Sequence, residues 1–199
     1  MIKSIFGSGG FGREVYWSLN ETDRNNAVFF IDDNFWDGKD EKVLPLSSFN
    51  PEIHEIIIAV GDPTLRENVI KKLPKNTKFF THISKSAIIL DPSVEIGVGS
   101  IICAGTIITT NIKIGKHCHL NLHTTIGHDC VIGDYFTTAP GVKISGNCNI
   151  GNRVYFGTNS SVKQKINICD DVTIGMNAAV VKSINNSGTY VGVPSNKIK

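Results

Sequence analysis

From Leu90 to Val180 a bulky residue returns at every sixth position, in the order Leu90, Ile96, Ile102, Ile108, Ile114, Leu120, Ile126, Ile132, Thr138, Ile144, Ile150, Phe156, Val162, Ile168, Ile174 and Val180. Fifteen of these sixteen are aliphatic or aromatic, in register without an insertion. The next residue is usually small, as at Gly97, Gly115, Gly127, Gly133, Gly151, Gly157 and Gly175, and the residue two before is mostly small or β-branched. A period of six is the signature of a hexapeptide parallel β-helix. Each hexad supplies one strand and one corner of a triangular coil. Three hexads return the chain one inter-strand spacing along the axis, about 4.8 Å, so residues eighteen apart stack and roughly five coils result. The bulky residue fills the prism, and the small one after it permits the turn and the close approach of coils. Thr138, the one polar member of the bulky column, predicts a local irregularity there.

Residues 1–82 follow another grammar. Ile2 to Phe6 reads as a strand, Gly7-Ser8-Gly9-Gly10-Phe11-Gly12 as a glycine-rich turn, Arg13 to Leu19 as a helix start and Val28 to Ile31 as a second strand ending at Asp32-Asp33. A strand over Glu55 to Val60, a helix over Thr64 to Leu73 and a strand over Lys78 to Thr81 complete a small Rossmann-like parallel α/β layer. The β-helix domain then occupies residues 83–199. The turn matches GxGxxG, with an acidic residue about twenty positions on, which suits a pyrophosphate at a helix N-terminus and a ribose or base at Asp32 or Asp33. A dinucleotide needs two such halves, and this lobe holds one. A single nucleotide diphosphate carrying a sugar therefore fits better than NAD.

Composition narrows the class. With 199 residues, 41% of them hydrophobic, and a net charge of +2, the chain has core enough for a folded protein and no polyanion signature, so nucleic acid is not an expected partner. The start has no leader pattern and no run of eighteen apolar residues occurs, so a cytoplasmic protein without a membrane anchor is expected. Five cysteines form no CxxC pair, and Cys118, Cys130 and Cys148 fall in the small inward column, as core filling in a reducing compartment.

GSGGFGRE, the FIDD strand end, GDPTLR, IGHDCVIGD and the closing VGVPSNKI together resemble the bacterial sialic acid O-acetyltransferase and bacillosamine-pathway N-acetyltransferase family, over essentially the whole chain. The resemblance implies a left-handed β-helix, a homotrimer and acetyl transfer from acetyl-CoA, without a metal, to the 4-amino group of a UDP- or dTDP-linked 4-amino-4,6-dideoxy sugar, in surface glycan, O-antigen or glycoprotein sugar biosynthesis. It makes His128 the catalytic base with Asp129 as its partner, and gives the Gly146 amide the oxyanion. It also places the diphosphate at Gly7, Ser8, Gly9, Gly10, Phe11 and Gly12, the base or ribose at Asp32 and Asp33, and Asn121 near the amine. Acetyl-CoA is implied along Gly146, Thr158, Gly175, Met176, Val193 and Pro194, with Lys197 or Lys199 for phosphate.

The register supports the catalytic assignment. His128 lies two after Ile126 and points outward, and the position stacked on it is Gly146, which leaves room for a thioester. An imidazole of ordinary pKa near 6.5 can take the proton of an attacking amine, a carboxylate can hold its tautomer, and no acyl-enzyme is needed. The chain departs from the family at Thr137, where relatives often carry a second histidine; either its hydroxyl or the backbone takes that contact. Arg13 and Arg66 are open between structural and phosphate-facing roles. Three rival readings are a sialic acid O-acetyltransferase, a trimeric nucleotide-sugar sensor without turnover, and a zinc hydration enzyme using His117, His119, His123 and His128. The last is opposed by Ala87, where a third ligand belongs.

Overall fold

A computed structural model describes residues 1–199. The amino-terminal lobe contains β1 (Ile2–Phe6), α1 (Gly10–Ser18), α2 (Glu21–Asn26), β2 (Val28–Ile31), β3 (Val43–Pro45), β4 (His54–Ile58), α3 (Pro63–Lys72) and β5 (Lys78–Phe79). Its five strands run parallel in the order β3-β2-β1-β4-β5. Ile5, Phe30, Ile56, Ile57 and Ile58 are wholly buried, as the near-continuous apolar runs of a sheet covered on both faces require. Sequence reading missed α2 and β3. β3 carries Pro45, which a sheet tolerates at its edge.

His82–Ile83 opens the solenoid by pairing with Ile101–Ile102. Two-residue strands then stack into three parallel faces. Face I contains His119–Leu120 on Thr137–Thr138, face II Thr125–Ile126 on Lys143–Ile144, and face III Val131–Ile132 on Asn149–Ile150. The bulky residues form the axis of one core with the inward Cys118, Cys130 and Cys148. All five cysteines are free.

The structure corrects three expectations, one of them of register. Ile89, not Leu90, pairs with Ile108, so the first coil is one residue longer than the rest, and Leu90 keeps its N–H on the Ile108 carbonyl at 3.0 Å with its side chain 64% exposed. The tight corner is not at the small residue after the bulky one. Left-handed φ values occur three positions after it, at Asn111, His117, His123, Asp129, Tyr135 and onward to Asn177. The small residue serves rung contact alone: a Cβ at Gly133 would lie 2.7 Å from the Gly151 carbonyl carbon. Finally, Thr138 causes no irregularity, since its rung pairs in register with Leu120 and Phe156. Its hydroxyl meets that of Thr124 at 2.7 Å and accepts the Asn121 N–H at 3.0 Å.

Arg66 joins the lobes. Wholly buried, it donates to the carbonyls of Val60 (2.6 Å), His117 (2.8 Å) and Tyr135 (2.6 Å) and to the Thr137 hydroxyl (2.8 Å). It is structural and faces no phosphate cradle. Burial lowers its pKa to about 10, which still leaves it charged at neutral pH. His119 Nδ1 lies 3.2 Å from the guanidinium; since arginine only donates, that nitrogen is the acceptor and His119 is neutral. His117 stacks on Tyr135 with ring centroids 5.7 Å apart. These two histidines are thus absorbed into the lobe interface.

Burial, with the Arg66 charge, holds His119 well below the ordinary imidazole range and His117 at about 4. Both folded-state values are lowered, so the unfolded chain takes up protons first. Stability is complete above about pH 6.5 and falls toward pH 4, with a slope of about 1.4 kcal/mol per pH unit for each histidine. Urea midpoints at pH 7.5 and 5.0 measure it. His119→Gln, which keeps an acceptor for Arg66 and cannot titrate, flattens the decline; an unchanged slope assigns the proton uptake elsewhere.

Candidate active site

The solenoid corners carry a repeated device. Two positions after the bulky residue, at the corner from face III to face I, Asp134 accepts the Lys116 N–H (2.7 Å), Asn152 the Asp134 N–H (2.8 Å) and Asp170 the Asn152 N–H (2.8 Å). Each side chain satisfies the amide of the rung before it. At the corner from face II to face III the equivalent column is Thr110, His128, Gly146 and Gln164, and the ladder is broken. Gly146 has no side chain to give, and neither the His128 nor the Gly146 N–H donates within the chain. Two free amides beside an imidazole can receive a developing oxyanion.

The imidazole is oriented. Asp129, in left-handed backbone at φ 59°, sets Oδ2 2.6 Å from His128 Nδ1 and accepts the Asn111 carboxamide on Oδ1 at 2.6 Å. The Asn111 bond and then the His128 bond hold the Asp129 carboxyl below its usual range, so it is a carboxylate at neutral pH. Nδ1 therefore carries the proton and Nε2 the lone pair. Nε2 faces the bare rung, where a Cβ on Gly146 would lie 2.6 Å away. The ring is outward and 54% exposed. Asn111 escaped the sequence reading, although its position eighteen before Asp129 was the available signal.

The amino-terminal lobe holds a cavity of about 800 Å³ lined by Gly7, Ser8, Gly9 and Asp32, with walls from Phe6, Ile31, Val60, Leu65 and Val69. Gly9, at the start of α1, lacks a side-chain cap, and added Cβ atoms at Gly9 and Gly10 meet nothing within 4 Å, so this helix start is open to an anion. Gly12 is instead required by packing: a Cβ would lie 1.8 Å from the Gly7 carbonyl oxygen. Phe11 turns from this cavity onto His119, centroids 5.2 Å apart. Asp33 accepts the Ser47 N–H at 3.0 Å and lines a neighbouring hollow with Asp32. Arg13 bonds the Ser8 carbonyl at 3.1 Å. Asn68 and Lys72 of α3 also line the cavity; they follow Leu65 at helical spacing, a signal the sequence reading did not use.

A second cavity, about 310 Å³, lies between the lobes and brings together Phe11, Glu14, Asn121, Pro140 and Thr158. Thr137 also lines it, but its hydroxyl proton goes to the Gly61 carbonyl at 3.0 Å, so it has none for an acetyl oxygen. Neither cavity includes His128. His123 sits at the corner from face I to face II, a different corner from His128. The Gly175 amide donates to Tyr190 at 2.8 Å and Val191 covers its Cβ position, whereas Met176, Val193 and the Lys197–Lys199 tail are exposed.

The family model described as the PglD N-terminal domain matches residues 4–73, and that of the hexapeptide repeat of succinyl-transferase matches residues 85–110 and 141–182. The GDP-perosamine N-acetyltransferase of Escherichia coli O157:H7 is 32% identical over 157 residues, which cover 73% of this chain and 70% of that one. WeeI from Acinetobacter baumannii AYE superposes with a TM-score of 0.90 at 33% identity, covering 99% of both chains. PerB from Caulobacter crescentus, solved with CoA and GDP-perosamine, shares the fold with a TM-score of 0.88 at 24% identity over 99% of this chain and 97% of its own. With a glycine-opened α/β lobe, a hexapeptide solenoid, and an identity above 30% sustained across both, the chain belongs to the bacillosamine-pathway family of hexapeptide-repeat sugar N-acetyltransferases.

Proposed function

We propose that this protein transfers acetyl from acetyl-CoA to the 4-amino group of a nucleotide-linked 4-amino-4,6-dideoxy sugar, in the cytoplasm and as a homotrimer. The observation that carries the reading is the stacked pair of an oriented His128 and the unpaired Gly146 amide. The amine nitrogen attacks the thioester carbon as a C–N bond forms. His128 Nε2 takes the proton the nitrogen sheds, Asp129 stabilises the imidazolium, and the free amides at residues 128 and 146 hold the oxyanion. Collapse breaks the C–S bond, and the proton passes from His128 to the departing thiolate. The relative from Escherichia coli O157:H7 is named for an amino sugar carried on GDP, so the carriers to compare are GDP, UDP and dTDP.

The nucleotide cavity and His128 occupy different parts of one chain, which supports a site completed by a neighbouring protomer, with the diphosphate on one chain and the base on the next. No helix is long and apolar enough to cross a membrane.

Thiol release from acetyl-CoA with a panel of nucleotide amino sugars tests the chemistry. His128→Ala lowers kcat by about 10²–10⁴-fold with the acceptor KM little changed; full retention of rate would remove His128 from the mechanism. Gly146→Ala places a methyl against Nε2 and lowers kcat by at least about 10²-fold, while circular dichroism remains that of the parent. Mixing His128→Ala with Gly10→Asp, each inactive alone, restores about a quarter of parental activity, the fraction of shared sites in which both halves are intact in a heterologous ring. No recovery after verified subunit exchange would place the whole site within one chain.

A further inference from the structure

The larger cavity of the amino-terminal lobe contains a charge pair that the phosphate cradle does not use. Where β2 ends against the last turn of α3, Lys72 Nζ donates to Asp32 Oδ2 at 3.1 Å, and both residues line the cavity. The Asp32 side chain keeps 29% of its surface exposed and Lys72 keeps 59%. Asp32 Oδ1 accepts the Asn34 N–H at 3.2 Å and the Asn34 carboxamide at 2.8 Å. Displacing that exposed carboxamide leaves one free lone pair on each carboxylate oxygen, beside an ammonium with N–H groups to spare. Apolar walls from Ile31, Val60 and Leu65 flank the pair, and Phe35, 80% exposed at the mouth, offers a ring face for stacking.

The pair presents an ordered edge of one cation followed by two anionic acceptors. Guanine matches it: O6 accepts, and N1–H and the N2 amino group donate side by side. Uracil and thymine offer a single donor between two carbonyls, so one carbonyl would oppose a carboxylate oxygen. Adenine presents its donor and acceptor in the reverse order. Resting on the nucleotide-sugar reading above, we propose that Asp32 and Lys72 read the base of the carrier and select guanine, making the acceptor a GDP-linked amino sugar.

Calorimetric titration of the full-length protein with GDP, IDP, UDP and dTDP tests this without acetyl transfer. GDP binds about tenfold or more tightly than UDP or dTDP, and IDP, which lacks the N2 amino group, falls several-fold below GDP, as expected of one good bidentate base contact. Asp32→Asn keeps the bond with Asn34 N–H and removes the double acceptor, so it erases the GDP-over-IDP preference. Equal or tighter binding of UDP or dTDP overturns the selection and leaves the transferase reading standing. An equal loss for all four ligands in Asp32→Asn overturns it as well, because Asp32 then holds the ribose. Failure of every nucleoside diphosphate to bind overturns the carrier reading along with it.

Discussion

Adjacent rungs of the solenoid lie one backbone hydrogen bond apart, about 4.8 Å, and this spacing decides what every corner residue can touch. It forces glycine or another small residue after most bulky ones, because a Cβ at such a position meets the backbone of the next rung. It also lets an Asp or Asn two positions after the bulky residue satisfy the amide of the preceding rung, as Asp134, Asn152 and Asp170 do. The corner of His128 and Gly146, proposed as the catalytic one, is the same geometry with the satisfying side chain deleted. Gly146 opens space beside Nε2 and leaves the His128 N–H unpaired, so one absent side chain does both; the Gly146 N–H is free because Gln164, one rung on, does not bond it. An unsatisfied amide costs stability of about 1–3 kcal/mol when buried; at an exposed corner water meets it until an acyl oxygen arrives.

Arg66 has the complementary role. It is a buried cation with no carboxylate bonded to it, held by carbonyls from both lobes. A lysine could not replace it, because the contacts diverge from a planar fork and a point ammonium cannot span them. By tying the loop after β4 to the rungs at His117 and Tyr135, it fixes the nucleotide lobe against face I. The same clamp consumes Thr137, whose hydroxyl donates to Gly61 while accepting from Arg66. Of the two ways sequence left open for holding an acetyl oxygen, only the backbone amides retain a proton to give.

Period six made the solenoid legible because the prism interior is filled by apolar side chains at almost every rung, with Thr138 admitted only where Thr124 and the Asn121 N–H partner its hydroxyl, and the outward His128 over Gly146 followed from counting eighteen. Counting failed where the lattice begins. The extra residue at Leu90 leaves no mark in composition, and only the pairing of Ile89 with Ile108 reveals it. The left-handed corner was misplaced because glycine marks rung contact more often than turn here; Asn, Asp and His accept positive φ at the true corner. The Arg66 clamp was hidden for a different reason. Its partners are almost all carbonyls, which every residue possesses, so no residue type at positions 60, 117 or 135 announces them. The Asp32–Lys72 pair joins a strand end to a helix forty residues on, and such pairing needs the sheet order first.

The distribution of parts over the prism has a consequence for assembly. Asn121 and Thr158 line the cavity at the corner between faces I and II, while His128 and Gly146 occupy the corner between faces II and III. One edge of the prism, the width of face II at Thr125–Ile126, separates them within one chain, and His128 does not line that cavity. A cyclic heterologous contact joins unlike surfaces, and closure of the proposed homotrimer would let each prism give one corner and receive another. In the proposed assembly the exposure of His128 and the confinement of the glycine-lined cavity to the lobe beside face I cease to conflict, because each supplies half of a site that the next copy completes.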